Sequence, residues 1–98
     1  LAVKHAPDNP DSHFTLGLIW QRKGRFPEAE RAFQQALAVN PRYSDVYLAL
    51  GDLYADGLKD ASKAVEAYRH YVETGGTDPG AKSMIEKLEM APRTSGTP

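Results

Sequence analysis

Apolar residues along this chain recur at spacings of three and four. Leu16, Ile19 and Trp20 form one such set, and Ala29, Ala32, Phe33, Ala36 and Leu37 form another. That period lines apolar side chains along one stripe of a helix. Nowhere does the chain sustain the alternation of a half-buried strand. The residues between these sets agree with a helical reading. Pro10 and Pro27 suit a first helical turn, where a missing N–H costs nothing. Asn9, Ser44, Asp60 and Asp78 offer side-chain oxygens to free amides at helix starts. Gly24 and Gly57 stand where a left-handed residue would end a helix. The pattern predicts five helices, at about 10–23, 27–39, 44–56, 60–74 and 79–90, and an all-α fold.

The helices recur in pairs. His13-x2-Leu16-Gly17-x2-Trp20 faces Tyr47-x2-Leu50-Gly51-x2-Tyr54 at an offset of 34, and Ala29-x3-Phe33 answers Ala64-x3-Tyr68 at an offset of 35. Asn40-Pro41 and Asp78-Pro79 close the two units. A 34-residue period carrying an aromatic, Leu-Gly, a second aromatic, Ala-x3-aromatic and then Pro resembles the tetratricopeptide repeat, a helix–turn–helix unit. The resemblance covers about residues 10–90 and implies a short right-handed α-solenoid of helix–turn–helix repeats. It divides the chain into repeats at 10–43 and 44–78, a C-terminal capping helix at 79–91 and a disordered tail at 92–98. Residues 1–9 read as the end of a preceding repeat or an N-terminal extension, since Leu1-Ala2-Val3 recurs at Leu37-Ala38-Val39. With no initiating Met and no signal-peptide pattern, the chain reads as a piece of a longer protein.

The second unit departs from the first in three places. It carries one extra residue between its helices, around Gly57-Leu58-Lys59. Tyr71 stands where the first unit has the small Ala36, and a glycine-rich linker, Thr74-Gly75-Gly76-Thr77, leads to the last helix. His13 takes an aromatic position of the first unit as a packing substitute. Gly17 and Gly51 each cost a helix about 1 kcal/mol relative to Ala, so they need a reason. The expected reason is close approach of Ala29 and Ala64 on the partner helix.

Composition narrows the function. Twelve Lys and Arg against 13 Asp and Glu leave a formal charge of −1, without the basic face that nucleic-acid binding requires. The apolar stretch Leu16 to Trp20, like every other here, is far too short for this segment to insert across a bilayer. No cysteine is present, which excludes disulfides, thiol nucleophiles and thiolate metal sites. His5, His13 and His70 lack the spacing that puts two ligands on one helical face. Ser12, Ser44 and Ser62 fall near helix starts, and the linker glycines lack the Gly-Lys-Ser/Thr ending of a phosphate cradle. No nucleophile, base and orienter come together, so neither an enzyme nor a cofactor is expected.

The resemblance places a partner-binding groove on the first helix of each pair. It assigns Asp11, Phe14, Leu18, Gln21 and Arg22 from the first unit and Asp45, Leu48, Asp52 and Ala55 from the second. Asp11, Phe14, Leu18 and Gln21 fall on one helical stripe, apart from Leu16 and Trp20, which are expected to pack on the partner helix. Phe14 and Leu18 then await a cover, either upstream residues of the same chain or a binding partner. Some relatives grip a C-terminal carboxylate with Lys and Asn on this surface. Here Phe14, Leu18 and Ala49 stand at those places and no cation is present, so an apolar or amphipathic peptide or a partner helix fits better. A scaffold module binding a protein or peptide is the implied function. Self-association as a structural repeat unit is the alternative.

Overall fold

The computed structural model describes residues 9–90. Helix α1 spans Pro10–Arg22, α2 Phe26–Val39 and α3 Ser44–Asp52, which runs on into a π-helical turn, Leu53–Gly57. Helix α4 spans Ala61–Glu73 and α5 Pro79–Met90, and no strand occurs among the described residues. The expected preceding repeat and tail lie outside them. Short connections fold α2 back on α1 and α4 back on α3, while α5 packs on α4.

Most of the helix ends follow from the residues named above. Asn9 accepts the Asp11 amide at 2.9 Å, Asp60 the Lys63 amide at 3.1 Å and Asp78 the Gly80 amide at 2.9 Å. Ser44 does not cap α3. Tyr43 takes the N-cap position, without a side-chain cap. The preceding loop is held instead by Asn40, which accepts the Arg42 amide, and by the Tyr47 hydroxyl, which donates to the Pro41 carbonyl at 3.0 Å. Gly24 ends α1 as expected, with a φ of 79°. The Gly24 and Arg25 amides donate to the carbonyls of Gln21 and Trp20, the paired bonds of a glycine-terminated helix.

Gly57 plays a different part from the one expected. The left-handed residue at the end of the π turn is Lys59, with a φ of 55°. Gly57 is there to make room, since a Cβ on it would lie 2.8 Å from the Phe26 ring. The turn closes with the Leu58 amide on the Leu53 carbonyl at 2.9 Å and the Asp60 amide on the Tyr54 carbonyl at 2.7 Å. A π turn holds one more residue than the α turn it replaces. The residue that shifts the offset from 34 to 35 is therefore taken up within the helix, where the sequence pointed to a longer connection.

The core centres on Phe33 and Tyr68, both fully buried, with Val46, Leu50, Leu53 and the alanines of α2 and α4 around them. A Cβ on Gly17 would run into the Phe33 ring, and one on Gly51 into the Tyr68 ring. Each glycine thus admits an aromatic ring from the partner helix, which corrects the expected glycine–alanine contact. The two oddities near α5 also belong together. Tyr71 is buried, a Cβ on Gly76 would strike its ring, and its hydroxyl accepts the Asp78 amide at 2.9 Å. The Gly75 and Gly76 amides close α4 on the Val72 and Tyr71 carbonyls, with Gly75 at a φ of 101°. The large side chain and the glycine-rich linker form one joint, and it docks α5.

Candidate functional site

Helix α1 carries two apolar stripes, and the seam with α2 settles which one faces inward. Phe33 lies over Gly17, so the stripe centred there, Phe14, Leu18 and Gln21, runs along the seam. Phe14 and Leu18 are half-buried against the core, with the Phe14 ring 6.0 Å from Phe33 and 5.3 Å from Tyr43. Leu16 is not packed on the partner helix as expected. It is 44 % exposed and Ile19 43 %, because the Phe33 ring fills the seam and leaves both on the far side. Trp20 remains partly buried against the core, with the Arg25 guanidinium 6.0 Å above its ring.

Among the nine groove residues, Asp11, Arg22, Asp45 and Asp52 are exposed. Phe14, Leu18, Gln21, Leu48 and Ala55 are half-buried. The structure gathers several of them around Tyr43, the last residue of the first unit. Its hydroxyl donates to Asp11, its ring lies against Phe14, and Asp45 acts on it electrostatically. The bond to Asp11, then burial, then the charges of Asp11 and Asp45 push the Tyr43 hydroxyl up to about 12. Asp52 sits at the second crossing, where it accepts the Tyr68 hydroxyl at 2.6 Å. Burial, that bond, and the charges of Asp52 and Asp56 hold the Tyr68 hydroxyl well above its ordinary range. Gln21, Arg22, Leu48 and Ala55 share the stripes of α1 and α3 with these residues but take no part in either hydrogen bond.

The sequence pattern marks Tyr68 only as a repeat aromatic, and it marks neither Tyr43 nor Asp56. Asp56 was within reach of it, because the offset of 34 that assigns Arg22 to the groove also assigns Asp56. Tyr43 ends a repeat, where the helical period has stopped, and nothing in the local pattern marks it. The Asp45, Leu48, Asp52, Ala55 and Asp56 stripe runs along α3 and the π turn, with both apolar members half-buried and all three acids exposed.

On the opposite side, Tyr54 donates to Glu30 at 2.7 Å and binds the two units together. Burial first, and then that bond, raise the Tyr54 hydroxyl far above its usual range, with Gln34 opposing. The Lys63 ammonium lies 5.7 Å from the Tyr54 ring, and His70, exposed on α4, stacks on Tyr47 at 5.0 Å. Elsewhere Glu28 pairs with Arg25 and Glu89 with Arg69. Among the described residues, no group of three or more His, Cys, Asp or Glu could hold a metal ion. No described helix is long and apolar enough to cross a membrane.

A search of curated proteins finds no match to this chain. A family model does, the tetratricopeptide repeat, over residues 15–81. The match spans more than half of the chain and both Leu-Gly pairs. With two ring-filled helix pairs in register and a fifth helix docked behind them, the chain belongs to the tetratricopeptide repeat family.

Proposed function

We propose that this segment of a protein-interaction scaffold holds an amphipathic peptide or partner helix against α1 and α3. The observation that carries the reading is a half-buried apolar strip, Phe14, Leu18, Leu48 and Ala55, edged by the exposed Asp11, Arg22, Asp45 and Asp52. Half-buried side chains fixed by a core lose little freedom when a ligand covers them, which favours binding. The tyrosine hydroxyls on Asp11 and Asp52 hold two of the edge carboxylates in place. Four acids counting Asp56, against the single Arg22, favour a partner that brings apolar residues and at least one cation. Nothing in the strip supplies a nucleophile or a base with its orienter, and the scaffold role fits the family.

The test is a peptide-display selection on the chain, followed by nuclear magnetic resonance of the best binder's complex. Amide shifts are expected along Asp11–Arg22 and Asp45–Asp56. Asp45→Lys with Asp52→Lys should weaken binding about tenfold, roughly 1.4 kcal/mol, while keeping the helical circular dichroism. Shifts confined to the opposite side, at Glu30, Gln34 and Glu66, would overturn the assignment.

A further inference from the structure

The side of α3 that faces away from the groove lines a second depression. A cleft of about 300 Å³ lies between α2 and α4, with Tyr47, Leu50 and Tyr54 of α3 across its floor. Leu37 and Ala67 complete an apolar base. Both tyrosine rings are fixed before any ligand arrives. The Tyr47 hydroxyl is tied to the Pro41 carbonyl and its ring is stacked by His70, while the Tyr54 hydroxyl is tied to Glu30 at 2.7 Å. Walls already in place lower the ordering cost of binding. Charge around this base is unequal. Glu30 lines it from α2 and Glu66 from α4, against Lys63, whose ammonium lies 5.7 Å from the Tyr54 ring. His70 directs its Nδ1 to Glu73 at 3.5 Å. One Glu30 oxygen takes both the Tyr54 hydroxyl and the Gln34 amide. Its other oxygen has no donor among the described residues, and neither has Glu66.

We propose that this cleft receives an arginine side chain presented by a protein partner, its stem over Leu37, Leu50 and Ala67 and its guanidinium toward Glu30 and Glu66. Charge complementarity chooses the occupant. An anionic ligand would meet two like charges, and a wholly apolar one would strip water from Glu30 and Glu66 without replacing it. A cation on an apolar stem satisfies the base and the acids together. Arginine suits the cleft better than lysine, because a rigid fork of five donors can reach carboxylates on two helices at once. The volume admits one long side chain and not a helix, whose diameter is about 10 Å. The site is separate from the groove, and the inference stands whether or not the groove binds a peptide.

Nuclear magnetic resonance of the 98-residue chain titrated with N-acetyl-arginine amide tests this, the small probe standing for the partner's side chain. Saturating amide shifts are expected at Glu30, Gln34, Glu66 and Ala67. N-acetyl-lysine amide should bind about threefold more weakly at the same residues. Glu30→Gln with Glu66→Gln, which keeps an acceptor for the Tyr54 hydroxyl, should weaken arginine binding about tenfold and leave helical circular dichroism unchanged. Asp45→Lys with Asp52→Lys should leave the cleft shifts as they are. A response that never saturates, or binding that survives the glutamine changes, overturns the proposal. Equal binding of N-acetyl-lysine amide or of N-acetyl-leucine amide overturns it too. So does a shift pattern that follows Asp45 and Asp52, because that would make the cation a ligand of the groove.

Discussion

At the scale of single residues, Phe33 and Tyr68 each occupy space that a glycine on the facing helix leaves open. The conflict this sets up has a definite sign. Replacing Gly17 by Ala gains about 1 kcal/mol of helix propensity. It also drives a methyl group into a ring that is fully buried and has no room to withdraw. Overpacking of that kind costs roughly 1–3 kcal/mol, and more for Gly17→Leu. The expected outcome for Gly17→Ala is a net loss of about 1 kcal/mol by chemical denaturation. In a Phe33→Leu background, the same Gly17→Ala change should become neutral or favourable. Equal losses in both backgrounds would mean that the ring is not what the glycine accommodates. The need for a small residue at position 17 was legible in the sequence, because an unforced glycine inside a helix is costly. Its partner was not, since Ala29 and Phe33 lie one turn apart on the same stripe of α2 and period alone cannot choose between them.

At the scale of elements, the five helices and most of their caps could be read from the chain, because capping and periodicity are local. The errors arose where two elements meet. Helix α1 has apolar stripes on two sides, and a period fixes their angle about the helix axis without saying which neighbour each one meets. The extra residue of the second unit was visible as an offset of 35, yet a longer loop and a π turn produce the same offset. The α4–α5 joint shows the same limit. Tyr71 and Gly76 each departed from the repeat pattern, and only their contact shows that one departure compensates the other. Tyr71→Phe should therefore release the Asp78 amide from its acceptor and cost about 1 kcal/mol. Gly76→Ala should cost more, because the new methyl group meets the ring. In both variants, amide exchange should quicken across α5 and stay slow in α1 and α2. A uniform change along the chain would show that the joint does not hold α5 in particular.

At the scale of the whole molecule, stability should fall in alkali. The unfolded chain gives up its tyrosine protons near the ordinary value of 10. The folded chain keeps the Tyr43 proton to about 12, and those of Tyr54 and Tyr68 are raised as well. Between those pH values the unfolded state binds fewer protons than the folded one, so folding free energy is lost as pH rises from 10 toward 12. It is fully retained below 10. Tyrosinate absorbance and helical circular dichroism should change together over that window, and Tyr68→Phe should flatten the loss. Tyrosinate formation well ahead of any change in helicity would show that these hydroxyls ionise within the folded chain. The three carboxylate acceptors come from different helices, with Asp11 on α1, Glu30 on α2 and Asp52 on α3. Alkali should therefore weaken the α3–α4 crossing, the hold of the Tyr43 loop on α1 and the seam between units at once.

The unlike ends of the bundle also limit what it can build. A rod with adhesive surface at both tips adds copies without limit and grows into a fibre. This one is adhesive at the α1 tip and charged at the α5 tip, where Lys82, Glu86 and Lys87 are exposed. Two copies could join through the exposed Leu16 and Ile19 of α1, and growth would end there.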